Sequence, residues 1–229
     1  MRFLLTPFLA IGLVSVVLAQ PADLTPTADE QKAIDAVVKA GGKAEIDPKL
    51  PAAARVSAKF ENGTDAALLA LKKSPQIGSV DAYDGTKCTE KGFVALKDLP
   101  HLRRLILGKS VMTALRVNAI SQCKELRDLR LPEAGLSDAE LVYLKKLTLL
   151  ESFDATDNPQ LTDKSMATLK TLDRLQSLYL AKTGITDKGL MELKVLDGLR
   201  TLYVGSTKVT ADAAEKFTDE MPNLRVIRR

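Results

Sequence analysis

Histidine and aromatic residues are scarce in this chain. Among its 229 residues one is His, none is Trp and 4% are aromatic. With no second histidine to accompany His101, the sequence gives little support to a zinc site or a Cys–His nucleophile pair. It also contains no G-x-S-x-G, H-E-x-x-H or P-loop motif. We therefore expect a protein with no catalytic activity, no cofactor and no metal ion; a hydrolase of unknown class is the weakest alternative.

Cysteine is almost as rare, and the two cysteines are poorly placed for a disulfide. Cys88 begins a helical segment in one unit of the repeat described below, whereas Cys123 ends the helical segment of the next unit. A disulfide requires Cα atoms within about 7 Å of each other. We expect both residues to be buried free thiols that pack as small apolar side chains.

A large excess of one charge sign is also missing. The chain has 33 basic and 29 acidic side chains, a formal net charge of +4, and its lysines are dispersed. A nucleic-acid partner is therefore not expected. The notable basic cluster, Arg225, Arg228 and Arg229, is interpreted as a solvated end of the domain rather than as an anion site.

A single long apolar run occurs, near the N-terminus. Arg2 precedes the apolar segment Phe3–Leu18, and a small-residue cleavage site ends at Ala19. We interpret residues 1–19 as a signal peptide removed before Gln20. This predicts a secreted, periplasmic or otherwise extracytoplasmic protein with no transmembrane span after cleavage. An uncleaved membrane anchor is the alternative, although the run is shorter than the about 20 residues that span a bilayer.

The chain is rich in one repeated pattern, L-x-x-L-x-L, which returns every 24 or 25 residues. It starts at Ile77, Leu102, Leu126, Leu150, Leu175, Leu199 and Leu224. The last two apolar positions of each copy are two residues apart, the period of a strand, so both side chains point inward from an extended segment. A fixed period of this length is typical of a solenoid of stacked coils.

A helical segment is predicted after each strand. Each of the first six strands is followed by a hydroxyl residue, at Thr89, Thr113, Ser137, Thr162, Thr186 and Thr210. Apolar residues then recur at helical spacing, which predicts a short helix with a Ser/Thr N-cap. Paired strands lie about 4.8 Å apart and packed helices about 8–10 Å apart, so the stack must curve with its strands on the concave side.

These columns resemble the leucine-rich repeat family in its 24–25-residue form. The segments 123–131 and 185–190 are similar to the cysteine-containing and ribonuclease-inhibitor-like subtypes, and the resemblance covers residues 77–229. Cysteine occupies its family position at Cys123 and is replaced in the other copies, which leaves the subtype open. The resemblance implies an α/β, right-handed solenoid with parallel strands on the concave face and short helices on the convex face. The whole chain resembles short secreted bacterial proteins of this kind.

The segment before the repeats is predicted to close the open end of the solenoid. Residues 20–26 form a polar linker, and a helix is predicted from Thr27, which can form a capping box with Glu30. A degenerate coil follows, whose strand alternates Val56, Ala58 and Phe60. Because the end of a solenoid needs a polar cap, we expect residues 27–76 to be an N-terminal cap. A separate effector domain is the alternative.

Acidic residues follow several helix caps, at Glu90, Asp138, Asp163 and Asp187. Such a column could be taken for a row of carboxylate ligands. We predict a structural role instead, because an acid in the first turn complements the helix dipole.

Residues between the inward strand positions face the concave surface. Seven side chains on or beside the predicted strands form the predicted binding set: Tyr83, Arg104, Asp128, Arg130, Asp154, Tyr179 and Tyr203. Tyrosine and arginine dominate the energetics of protein interfaces, although aromatic residues also favour strands for packing alone. The Tyr179–Tyr203 pair, in adjacent strands, is the most specific prediction.

The predicted function is that of a non-catalytic, exported, monomeric binding module whose concave sheet holds a protein or cell-surface ligand. A rigid stack of coils would pre-organise the side chains and so lower the entropic cost of association. The alternative is a structural or envelope-associated scaffold without a discrete ligand.

Overall fold

A computed structural model of the chain describes residues 24–227. The predicted signal peptide, most of the predicted linker, and Arg228 and Arg229 lie outside the described residues. The strands are β1 (Lys43–Ile46), β2 (Val56–Lys59), β3 (Asn62–Thr64), β4 (Ile77–Asp81), β5 (Asp84–Lys87), β6 (Arg104–Ile106), β7 (Asp128–Arg130), β8 (Ser152–Asp154), β9 (Ser177–Tyr179), β10 (Thr201–Tyr203) and β11 (Arg225–Ile227). The helices are α1 (Ala28–Lys39), α2 (Asp65–Ala70), α3 (Glu90–Ala95), α4 (Ala114–Ile120), α5 (Asp138–Leu141), α6 (Met166–Leu169), α7 (Asp187–Glu192) and α8 (Ala211–Glu220).

Nine of these strands form one sheet in the order β1-β2-β4-β6-β7-β8-β9-β10-β11. From β2 onward the neighbours pair in parallel, and the register matches equivalent repeat positions, as Leu129 with Phe153 and Phe153 with Leu178. Strand β1 lies antiparallel to β2 at the end of the sheet. The strands β3 and β5 form a separate pair. The fold is the predicted α/β solenoid, with the main sheet on its concave side and short helices on its convex side.

The core lies between the sheet and the helices. Every inward residue of the repeat pattern from Ile77 to Leu224 is at most 5% exposed. Cys88 and Cys123 are also buried and unpaired, as predicted. Burial raises the pKa of the Cys88 thiol to about 11 and that of the Cys123 thiol to about 12, so both remain neutral thiols at physiological pH.

The last coil differs from the predicted register by one residue. Strand β11 pairs Val226 with Leu202, so Val226 continues the inward column. The pattern instead predicts Ile227 at this position. After the helix, Leu224 takes the same place as Leu199, each donating its N–H to the carbonyl three residues earlier. The segment from Leu224 to β11 is one residue shorter than the segment from Leu199 to β10. The fixed L-x-x-L spacing cannot reveal this difference.

A left-handed residue follows five successive strands of the main sheet. These residues are Lys109, Glu133, Asp157, Lys182 and Ser206, with φ between 54° and 60°. The conformation costs a non-glycine residue about 1–2 kcal/mol. In the first four of these residues it is held by a hydrogen bond from the backbone N–H to the next coil, as from Glu133 to the Thr156 carbonyl at 2.9 Å. The side chains of this column therefore project at a fixed edge of the sheet.

Aspartates at the starts of four helices, Asp65, Asp138, Asp163 and Asp187, join their coils to the next. The carboxylate of Asp138 accepts hydrogen bonds from the backbone N–H of Thr162 at 2.9 Å and from its hydroxyl at 2.6 Å. Asp163 accepts the same two bonds from Thr186, at 2.8 and 2.7 Å. The acids are thus structural, but their bonds run between coils, whereas the sequence argument considered the dipole of a single helix.

Glycines make room for two of these carboxylates. A Cβ atom at Gly189 would lie 2.2 Å from Oδ1 of Asp163, and one at Gly92 would lie 2.5 Å from Oδ1 of Asp65. Where the acid is the longer Glu90, the equivalent neighbour is Arg116, whose Nε lies 3.2 Å from the Glu90 carboxylate. In these helices the third residue is therefore Gly where the preceding coil carries Asp, and Arg where it carries Glu.

We expect Asp138→Asn to destabilise the protein, and to do so more at neutral pH than at acidic pH. Burial alone would raise the pKa of Asp138, but hydrogen bonds from Ser165 and Thr162 outweigh it and hold the pKa below its ordinary value. Such a depressed pKa adds stability above the unfolded pKa of about 3.9, and this stability is lost as the pH falls through the folded pKa. Asp138→Asn should lower the free energy of unfolding by about 1–3 kcal/mol at pH 7.

Urea unfolding at pH 7 and at about pH 2.5, followed by circular dichroism, measures this effect. The difference between the wild type and Asp138→Asn should shrink at the lower pH. The matched control is Asp173→Asn, which changes an exposed aspartate outside the row of aspartates that join the coils. It should leave the free energy of unfolding unchanged at both pH values. Equal losses at both pH values would show that ionised Asp138 does not join the coils.

Candidate binding surface

Two lines of side chains cross the concave face from strand to strand. One line consists of Ser79, Arg104, Asp128, Ser152, Ser177, Thr201 and Arg225. The other consists of Asp81, Ile106, Arg130, Asp154, Tyr179 and Tyr203. Six of the seven predicted binding residues lie in these lines, and Tyr83 lies just beyond β4. The alternation of the strands thus brings the predicted set onto one surface.

The two tyrosines of the second line are stacked on each other. Tyr179 pairs directly with Tyr203 in the sheet, and their ring centroids are 4.8 Å apart with an angle of 19° between the ring planes. Ser177 and Thr201 precede them on the same face, and both are short side chains. The paired rings therefore form a ridge, called here the tyrosine ridge, which is half-buried and open to a ligand.

The charged residues in the middle of the face are largely paired with each other. Asp128 lies between two arginines: its carboxylate accepts bonds from Nε and Nη2 of Arg130 at 3.1 and 3.0 Å, and Arg104 Nε lies 3.3 Å away. The bond to Asp128 raises the pKa of Arg130 above its ordinary value. Asp154 accepts a bond from the Thr156 N–H at 2.9 Å but forms no salt bridge within the part of the chain that the structure describes.

Tyr83 crosses two coils at the edge of this face. Its ring lies over Gly108, where a Cβ atom would come within 3.2 Å of the ring carbons. Its hydroxyl donates a 2.8 Å hydrogen bond to Glu133, fifty residues further along the chain. The side chain is nevertheless 44% exposed. Tyr83 is therefore fixed in position while one part of its ring remains accessible.

A depression of about 330 Å³ lies between Tyr83 and the second line. We call it the anchor pocket; its lining residues are Lys59, Asp81, Tyr83, Ile106, Arg130, Pro132 and Asp154. Ile106 is only 7% exposed, and Gly108 adds no side chain beside the Tyr83 ring, so the space above them stays open. Strand alternation alone puts Ile106 on the concave face, but sequence reasoning missed Pro132 and Glu133 as parts of this site, because only the fold brings them to Tyr83.

The one histidine of the chain, His101, contacts a carboxylate at a coil junction. His101 Nδ1 lies 3.2 Å from a carboxylate oxygen of Glu125, whose other oxygen is 3.7 Å from Arg103, which makes a surface charge cluster at the coil junctions. No group of three or more His, Cys, Asp or Glu side chains suited to a metal ion occurs among residues 24–227. In the same range no helix is long and apolar enough to cross a membrane.

The parallel sheet, the repeat register and the helical convex side define a leucine-rich repeat fold. The crystal structure of an internalin C2 from Listeria monocytogenes is similar with a TM-score of 0.56 at 22% identity, covering 75% of this chain and 69% of that one. A TLR13–ssRNA13 complex gives a TM-score of 0.52 at 20% identity, covering 68% of this chain and 22% of that one. At these identities the likeness shows the fold alone. No protein-family model and no curated protein matches the sequence.

Proposed function

We propose that the protein is a non-catalytic, exported, monomeric module that binds a protein or cell-surface ligand on its concave face. The observation that carries this proposal is the tyrosine ridge, in which Tyr179 and Tyr203 stack at 4.8 Å on a rigid sheet. Rigid aromatic side chains supply contact area with little loss of conformational entropy on binding. Removal of residues 1–19 before Gln20 is part of the proposal.

The chemistry of the face favours a protein over a nucleic acid. Acidic residues alternate with basic ones across it, since Asp128 lies beside Arg104 and Arg130, so the described part of the face has no continuous basic track for a phosphate backbone. The two tyrosine rings direct one face at each other, which leaves their outer faces, edges and hydroxyl groups as contact area. Such a surface suits the mixed polar and apolar contacts of a protein interface.

We propose further that residues 27–76 close the end of the repeats that begin at residue 77. Helix α1 packs Ala33 and Val37 into the common core, where each is at most 1% exposed. The capping box between Thr27 and Glu30 is present, and Arg55 donates two 2.9 Å bonds to the Glu30 carboxylate. These contacts join the polar helix to the sheet, which supports its role as a cap.

Replacing both Tyr179 and Tyr203 by Ala should abolish capture of the partner, because it removes the main contact area of the ridge. The measurement is an affinity pull-down from the native extracytoplasmic fraction with the wild type and the variant, analysed by mass spectrometry. Specific partners should be reduced at least about tenfold, equivalent to about 1.4 kcal/mol, while the circular dichroism spectrum stays the same.

The matched control removes two exposed apolar side chains that lie outside the main sheet. Val111 and Leu115 are 67% and 70% exposed, and replacing both with Ala should leave capture unchanged. Undiminished capture by the tyrosine variant would defeat the concave-face proposal. If the wild type captures no specific partner, the scaffold without a discrete ligand becomes the better account.

A further inference from the structure

Strand β1 leaves one edge of the main sheet open. It lies at the end of the sheet beside β2, and no other strand that the structure describes pairs with its far side. The backbone N–H and C=O groups along such an edge can pair with a strand of another chain. The solenoid therefore ends on a surface that a further strand can extend.

The hydrogen bonds of β1 show which backbone groups point to this open edge. The N–H of Asp47 donates to the carbonyl of Arg55, just before β2, at 2.8 Å. Because the bonding direction alternates along an antiparallel strand, the backbone groups of Glu45 also point to β2. Those of Ala44 and Ile46 point outward. An added antiparallel strand therefore bonds to Ala44 and Ile46.

The side chains of β1 complement each other in one register of such a pairing. Residues directly opposite each other in an antiparallel pair lie on the same face. If two copies of β1 pair with Ala44 opposite Ala44, their backbones exchange two hydrogen bonds. Lys43 of each copy then lies opposite Glu45 of the other, and both residue types are exposed. The register centred on Glu45 instead opposes two carboxylates, which is destabilising.

The two charged residues of β1 have poor partners within their own chain. Lys43 lies opposite Lys59 of β2, a like charge. Its ion pair with Glu61, at 3.9 Å, joins side chains that are 85% and 84% exposed, and exposed pairs contribute little. Glu45 lies opposite Ser57 and forms no salt bridge among residues 24–227. A second copy therefore supplies both charges with better partners.

An exposed apolar side chain lies at the same end of the solenoid. Ala36 of α1 lines a groove beside α2. Val38 is two residues further on, about 200° round the helix, so it faces away from the neighbouring coil. It is 57% exposed. Since the outer side of a solenoid cap is normally polar, Val38 favours an end that is covered by another molecule.

We infer that two copies of the protein pair through their β1 strands, antiparallel and centred on Ala44. The inference goes beyond the binding function proposed above. The two sheets join into one, and both concave faces, with their tyrosine ridges, point to the same side. Such a pair can hold two sites of one partner assembly, which raises the effective affinity.

The pairing is weak because the strand is short. Four residues bury far less than the about 1,000 Å² of a stable interface. The N–H of Gly42 is already bonded to the Val37 carbonyl at 2.9 Å, so it adds no bond to the second copy. The protein is therefore monomeric in dilute solution, as proposed above, and pairs where its local concentration is high.

The test is sedimentation equilibrium of the purified protein from micromolar to millimolar concentration. The wild type should associate with a dissociation constant on the order of 0.1–1 mM. Lys43→Glu and Glu45→Lys each create two like-charge pairs in the symmetric dimer, so each variant alone should associate at least about fivefold more weakly. An equimolar mixture of the two variants has only opposite charges across its mixed dimer and should recover the wild-type association. The double variant, with both changes in one chain, should recover it as well.

The control for net charge is Lys188→Glu, which changes an exposed lysine of α7. It alters the net charge as Lys43→Glu does and should change association by less than about twofold. Circular dichroism shows whether each variant is folded.

A wild type that stays monomeric at millimolar concentration, single variants that associate like the wild type, or a mixture no better than its components would each overturn the inference. If the monomeric wild type instead gives saturable NMR shifts with the peptide acetyl-Gly-Lys-Ala-Glu-Ile-amide, the edge receives a strand of another protein and the inference fails.

The outcome is separate from that of the pull-down. The variant with Ala in place of Tyr179 and Tyr203 should pair like the wild type, because both residues lie far from β1 in the sheet. Pairing together with undiminished capture by that variant would support the β1 contact and reject the ridge. Loss of capture by that variant, with a wild type that does not pair, would do the reverse.

Discussion

Replacing Leu178 by Asp should unfold or nearly unfold the protein. Leu178 lies in the middle of β9, is 0% exposed, and pairs in register with Phe153 and Leu202, which are equally buried. Losing a buried leucine side chain costs about 2–5 kcal/mol by itself. Burying an unpaired carboxylate adds several kcal/mol more, unless the group takes up a proton. Since domains are typically stable by about 5–15 kcal/mol, most of the stability should be lost.

Urea unfolding monitored by circular dichroism compares three variants. Leu178→Ala should lose about 2–5 kcal/mol, and Leu178→Asp should lose more. The control Ser177→Asp places the same carboxylate one residue earlier, on the half-buried concave face, and should change stability by less than about 1 kcal/mol. Wild-type stability of Leu178→Asp would mean that the inward columns are assigned to the wrong face of the strand.

Asn158→Leu should cause the next largest loss of stability. The side chain of Asn158 is 0% exposed, and its Oδ1 atom accepts bonds from the backbone N–H groups of Ala134 and Leu136 at 3.2 and 2.8 Å. Its Nδ2 atom donates to the carbonyls of Leu131 and Ala155, each at 2.9 Å. One side chain thus satisfies backbone groups of two coils.

Leucine would occupy a similar volume but leave these buried groups without partners. Each unsatisfied buried group costs about 1–3 kcal/mol, so the variant should lose at least about 3 kcal/mol in urea unfolding. Thr183→Val is the graded control, because Thr183 takes the equivalent place in the next coil and makes one bond, to the Leu180 carbonyl at 2.6 Å. It should cost about 1 kcal/mol. Similar losses in both variants would argue against a special role of Asn158.

Much of this fold could be predicted from the sequence because the same physical requirement recurs in every coil. A single strand pattern is weak evidence, but seven copies in register fixed the inward positions, and the buried side chains of Leu105, Leu129 and Leu202 confirm it. Strand β1 was not predicted, since its alternation of Ala44 and Ile46 with Lys43 and Glu45 extends over only four residues. The one-residue error at β11 arises because the pattern supplies a period but not the number of residues in each individual turn.

The concave face was predictable only in part. Strand alternation places Tyr179 and Tyr203 side by side, and the structure has them stacked. The anchor pocket was not predictable, because it depends on the absence of a side chain at Gly108 and on the path of Tyr83 over two coils to Glu133. Contacts between residues fifty positions apart follow from the curvature of the stack, which no local pattern encodes. That these residues bind a ligand stays a prediction.

The row of acidic residues that link successive coils has one interruption, at Ala114. Where the other coils that are followed by a further helix carry an acid, this methyl group offers nothing to Ser137, whose hydroxyl instead donates to Glu140 of its own helix. The sheet and the core continue across this boundary, but the carboxylate link to the next coil is missing. Duplication or exchange of whole coils in the course of evolution would disturb fewest side-chain bonds here, which makes the boundary a natural place for the array to grow, shrink or recombine.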